Sequence, residues 1–141
     1  MTFTEKNTLI FLVVSALGFG VYAALVLSRA QGVPLVEVAY AAPMLWTIGG
    51  AIVAGIVGQT VLSALEPKEA REKDQRDRDI DRFGILMGQS FIVIGGVVAL
   101  LLTMAEAKYF WIANTLYLGF VLSALVGSSA RLIAYRRGLP Q

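Results

Sequence analysis

Few residues in this chain are of a type that performs chemistry. Its 141 residues include neither His nor Cys. That removes thiol nucleophiles, disulfide relays, His-ligated haem, Cys/His zinc sites and Ser-His-Asp triads. What remains is uncharged polarity set in apolar surroundings, and one dense run of charge. The scattered set comprises Thr47, Gln59, Gln89, Ser90, Asn114, Thr115, Ser123, Ser128 and Ser129. Gln59 lies seven residues before Glu66 and Gln89 seven after Arg82, so on helices of opposite direction they should reach one depth and face each other. Thr47 and Asn114 match in the same way nearer the other ends of their helices. Such groups either form interhelical hydrogen bonds of about 0.6 kcal/mol each, up to about 1.7, or line a path for a small solute. No Asp, Glu, Lys or Arg falls inside a long apolar run. Ion-coupled transport ordinarily keeps an ionisable group at membrane depth, so this composition weighs against it.

The dense run is Glu66–Arg82, with 13 charged residues in 17, six positive and seven negative. Glu69–Lys73, Glu72–Arg76 and Asp74–Arg78 are acid-before-base pairs four apart, the favourable order on a helix. Pro67 suits a first helical turn. The run therefore predicts a charged helix of three to four turns leading into the apolar residues that follow, with Gly84 easing the junction. Its acids outnumber its bases, which disfavours a polybasic lipid-binding segment. Interleaved Arg and Lys would compete with Mg²⁺ or Ca²⁺ for the carboxylates. Neither a metal nor a cofactor is expected, and no nucleophile–base pair points to an enzyme.

The elements that must position these groups follow from hydropathy. The chain is 57% hydrophobic and 16% charged, with a mean hydropathy of +0.69. Soluble domains run at roughly 25% charged and about 45–50% apolar. Four runs free of charge occur: Asn7–Ser28, Val38–Leu65, Phe83–Ala105 and Tyr109–Ala130. Each exceeds or matches the ~20 residues a helix needs to cross hydrocarbon. Pro43 belongs in a first helical turn, which moves the start of the second helix to about Ala41. A soluble bundle would interrupt these runs with polar residues every third or fourth position. The fold expected is all-α: one integral-membrane four-helix bundle over residues 1–141, with helices at about 7–28, 41–65, 83–105 and 109–130 and a charged connection at 66–82. The apolar stretch Leu9–Leu27 is longer than the 7–15 residues of a signal-peptide core, so the first span is expected to be retained. With no Cys and no Gly at position 2, the usual lipidation motifs are missing.

Cations set the expected threading. Lys6, the six in Lys68–Arg82, and Arg131, Arg136 and Arg137 make 10 of the 12, leaving Arg29 and Lys108 for the other side. The positive-inside rule then places both termini and the charged connection in the cytoplasm. Trp46, Trp111, Tyr40, Tyr109 and Phe110 at the outer ends, and Tyr135 at the inner, are expected as interfacial anchors. Small residues recur four apart on every span: Ala16/Gly20/Ala24, Gly50/Ala54/Gly58, Gly84/Gly88 with Gly96 beyond, and Gly119/Ser123/Gly127. These stripes should let the helix backbones approach closely, within the bundle or against a second copy. Short connections make each consecutive pair an antiparallel hairpin.

The stretch Lys73-Asp74-Gln75-Arg76-Asp77-Arg78-Asp79-Ile80 resembles a motif of small four-span bacterial membrane proteins, actinobacterial in type and of unknown function. Their central cytoplasmic segment reads roughly K-D-E-R-D-x-x-I and is followed by a Gly-bearing helix. Here Asp74, Arg76, Asp77 and Ile80 fit, Gln75 replaces the usual Glu, and Gly84 and Gly88 follow. The resemblance implies a multi-pass protein of the bacterial inner membrane. It also implies a cytoplasmic partner such as a small helix-turn-helix transcriptional regulator, docked on Asp74, Arg76, Asp77 and Ile80, with no direct contact to nucleic acid. Two function classes are thus expected. One is a non-enzymatic regulatory or interaction protein. The other is a small-solute channel or transporter, homo-oligomeric, using Gln59, Gln89 and Asn114.

Overall fold

The computed structural model describes residues 2–140. It is 86% helix, with no strand among the described residues. Helix α1 covers Phe3–Arg29, α2 Ala41–Leu65, α3 Pro67–Arg71, α4 Gln75–Met104 and α5 Tyr109–Arg137, with a 3₁₀ turn at Leu35–Glu37. Helices α1, α2, α4 and α5 are each long and apolar enough to cross a membrane, the make-up of a multi-pass membrane protein.

Local chemistry explains the boundaries. Thr2 caps α1 by accepting from the Glu5 amide while the Glu5 side chain accepts from the Thr2 amide, a reciprocal capping box. Asp74 and Asp77 form the same box at the start of α4. This box corrects the expectation of one continuous charged helix. The backbone is extended at Glu72 (ψ 97°) and at Asp74 (ψ 178°), so α3 ends at Arg71 and a new helix begins at Gln75. Of the predicted pairs, Glu69–Lys73, Glu72–Arg76 and Asp74–Arg78, none is formed. Lys73 instead pairs with Asp81, and Gln75 donates to Asp79. Helix α4 therefore starts eight residues before the apolar run at 83–105, and α5 continues seven past 130. Charge marks where a helix leaves the apolar layer, whereas capping groups mark where it begins.

Packing runs in the order α2, α1, α5, α4: α4 lies along α5, α5 along α1, and α1 along α2. Helices α2 and α4 stand on the two flanks and are not packed on one another. The α4–α5 seam is the closest. A Cβ at Gly88 would sit 2.6 Å from the Ser123 carbonyl oxygen, and one at Gly127 2.9 Å from that of Gly84. A Cβ at Gly95 would sit 3.2 Å from the Gly119 Cα. The stripes of α4 and α5 are thus buried against each other, with Gly95 rather than Gly96 completing the row. On α1 and α2 the contacts follow the predicted stripes only at Gly58. Gly18 meets Ala51 and Gly58 meets Ile10, while Gly20 and Gly50 face open space.

The N-terminus of α1, the C-terminus of α2, the start of α4 and the end of α5 share one end of the bundle, joined by Lys6–Glu66 and Arg131–Asp81 ion pairs. This is called the charged end below. At the opposite end Tyr22, Val26, Val38, Phe110, Tyr117 and Val121 form the buried core. Trp46 and Tyr109 are 80% and 82% exposed, but Phe110, at 6%, is core rather than an interfacial anchor. Tyr40 stacks edge-on against it at 5.5 Å.

Candidate functional site

The motif at Asp74–Ile80 is folded into the bundle. Ile80 is fully buried. Asp77, besides its place in the capping box, accepts a hydrogen bond from the Tyr135 hydroxyl at 3.0 Å. Arg76 donates to the Tyr135 carbonyl at 3.0 Å. Of the four residues expected as a docking surface, Arg76 and Asp77 therefore seat the start of α4 on the end of α5, Ile80 is buried, and Asp74 caps α4. Asp74 and Arg76 remain exposed.

Beside this brace lies a polar cavity of about 300 Å³, lined by Thr4, Asn7, Thr8, Phe11, Gln59, Lys73, Asp81, Ile85 and Arg131. Asp81 is its electrostatic centre. One carboxylate oxygen pairs with the Lys73 ammonium, and the other lies 3.9 Å from Arg131 Nε. That second distance is an ion pair without a hydrogen bond. Arg131 Nε and Asn7 Oδ1 are both buried and lack a hydrogen-bond partner. Buried polar groups are ordinarily paired, so these two mark a place where polar demand is unmet. The Arg131 stem is held by the gap at Gly84, where a Cβ would collide with Arg131 Cγ.

Two apolar cavities border the polar one, sharing with it Phe11 and Gln59 in one case and Phe11, Ile85 and Arg131 in the other. The first, about 370 Å³, lies among α1, α2 and α5, and its lining includes Phe11, Gly18, Ala51, Gly55, Gln59, Phe120 and Ala124. The second, about 330 Å³, lies among α1, α4 and α5 and includes Phe11, Ile85, Gly88, Gln89, Phe120, Ala124 and Arg131. Phe11, Phe120 and Ala124 belong to both. Together the three cavities form a cleft with α1 and α5 as floor and α2 and α4 as walls.

Gln59 and Gln89, expected to face one another, stand on those opposite walls. Both are exposed, and no hydrogen bond joins them. Matching depth was insufficient because it says nothing of which helices are neighbours. Thr47 and Asn114 do make interhelical contacts, but with tyrosines rather than with each other. The Tyr117 hydroxyl lies 3.3 Å from Thr47 Oγ1, which itself donates to the Pro43 carbonyl at 2.8 Å. Tyr22 donates to Asn114 Oδ1. The two rings meet edge-to-face at 4.8 Å, closing a four-residue polar–aromatic core.

The residues that sequence reasoning missed are Asn7, Asp81, Arg131 and Tyr135. Asp81 reads as one member of the charged run and Arg131 as a span boundary, and 50 positions separate them; their pairing leaves no trace in spacing. Among the described residues no three Asp or Glu side chains converge as metal ligands. No family model, curated protein or solved structure matches the chain.

Proposed function

We propose that the chain is a non-enzymatic regulatory or interaction protein of the bacterial cytoplasmic membrane, threaded with both termini and the charged end in the cytoplasm. The observation that carries this reading is the construction of the charged end. Its inward-facing charges brace one another, Arg76 and Asp77 on Tyr135 and Lys73 and Arg131 around Asp81. Lys68, Arg71, Arg78, Arg82, Arg136 and Arg137 remain exposed, and none is in an ion pair with a described residue. Against the exposed acids Glu69, Glu72 and Asp74 these cations leave an outward positive surplus. Such a surplus suits an acidic protein surface, which it would attract by long-range steering and select by charge complementarity. The partner-facing role thus passes from Asp77 and Ile80 to the exposed cations, with Asp74 and Arg76 exposed beside them. A small transcriptional regulator with an acidic face is the kind of partner that the motif resemblance implies.

The test is photo-crosslinking in intact cells from a probe residue at Arg78 or Arg136. A discrete protein adduct that vanishes when Arg78 and Arg82 are both changed to Glu supports the reading. Equal adducts from a probe at Leu100, near the opposite end, count against it. The channel or transporter reading has thinner support. The cavities at membrane depth are lined mainly by apolar side chains, and Asn114 and Thr47 are engaged with tyrosines.

A further inference from the structure

We infer that the cleft between α2 and α4 holds one diacyl phospholipid drawn from the surrounding bilayer. Its phosphodiester lies beside Arg131 and Lys73, with one acyl chain on each side of Phe11 and Phe120. The shape argues first. One polar cavity borders two apolar ones, the division of a lipid with one headgroup and two chains. At about 370 and 330 Å³ the apolar cavities sit near the lower end of the ~300–1,000 Å³ range of ligand sites. Each has room for part of an acyl chain, the rest lying against the open face, but not for a helix about 10 Å across. Because α2 and α4 do not pack together, the cleft lies open on the side from which lipid arrives.

Charge and hydrogen bonding argue second, and independently. Lys73 and Arg131 against Asp81 leave one surplus positive charge, the complement of a phosphodiester's single negative charge. Arg131 Nε is a buried donor without an acceptor, and Asn7 Oδ1 a buried acceptor without a donor. A phosphate oxygen satisfies the first, and a headgroup hydroxyl or ammonium the second. Depth agrees as well, since the polar cavity lies at the charged end, where headgroups are, whichever way the bundle is threaded. The inference stands whether or not the exposed cations meet a protein.

The experiment is native mass spectrometry of the full chain, taken from phosphatidylcholine nanodiscs into mild detergent. Dioleoylphosphatidylglycerol and its single-chain lyso form serve as probes. One retained diacyl lipid per chain is expected, with the lyso form retained more weakly. Arg131→Gln should cut retention about tenfold or more, the usual scale for a lost charge-assisted hydrogen bond. Arg131→Lys should keep most of it. Ala124→Phe should lower retention with every charge intact, because Ala124 borders both apolar cavities. Circular-dichroism melts check that each variant is folded, and if Arg131→Gln is not, Ala124→Phe decides. Unchanged retention in the folded variants overturns the proposal. So does a retained number that climbs steadily with lipid supplied, or a lipid-free dimer whose second copy covers the cleft.

Discussion

Asp74 and Arg78 sit in the same charged stretch, four residues apart, and should behave differently on substitution. Asp74 caps α4 through the Asp77 amide at 2.8 Å. Asp74→Ala should therefore cost about 1 kcal/mol, the usual value for a lost N-cap. Arg78 is exposed and, among the described residues, makes no side-chain hydrogen bond or ion pair. Arg78→Ala should stay within about 0.5 kcal/mol. Thermal melts in detergent read both. Reversing Arg76 and Asp77 together, which their composition suggests is harmless, should instead lower the melting temperature, since it removes the capping box and both contacts to Tyr135. At the opposite end Tyr22→Phe deletes the bond to Asn114. That loss should fall between about 0.6 and 1.7 kcal/mol, the range for polar contacts between membrane helices.

At the scale of elements, the α4–α5 hairpin is the most closely packed unit, and its glycines are not equivalent. Gly88→Leu places side-chain atoms where the Ser123 carbonyl already stands, 2.6 Å from a Cβ. Overpacking of that kind costs about 1–3 kcal/mol, and backbone has little freedom to yield. Gly96→Leu on the same helix meets open space and should be tolerated. Limited proteolysis of the two variants separates them: cleavage within the α4–α5 connection should accelerate for position 88 alone. The hairpin's neighbours follow a related rule. A Cys pair at positions 59 and 89 should not be joined by a short bifunctional reagent, because α2 and α4 occupy opposite flanks. Efficient joining would show that the two walls close on each other.

Threading is a property of the whole molecule. In this Cys-free chain, Cys placed at Arg29 or Lys108 should react with an impermeant thiol reagent on intact cells. Cys at Arg71 or Arg137 should react only after lysis. The motive is the 10-to-2 division of cations between the two ends. Labelling of the second pair on intact cells would invert the protein and carry the exposed arginines away from any cytoplasmic partner.

Hydropathy by itself determined that the chain has four apolar helices and where they lie, because the cost of leaving backbone and charge in hydrocarbon is collected residue by residue along the chain. Ala41–Leu65 was legible to the residue, since Pro43 and Glu66 bound it locally. The small-residue rows of α4 and α5 were legible for the same reason, as helical spacing is a local property. Which helices are neighbours was not, because the order α2, α1, α5, α4 depends on close contacts such as Gly88 with Ser123 and Gly58 with Ile10. Separation of α2 from α4 placed Gln59 and Gln89 on opposite walls, and the fold of α4 onto α5 turned Ile80 inward. Asp81, Arg131 and Asn7 came together from three helices by the same packing. Charge in a sequence signals proximity to water, but tertiary contact alone decides whether that charge faces solvent or encloses a cavity.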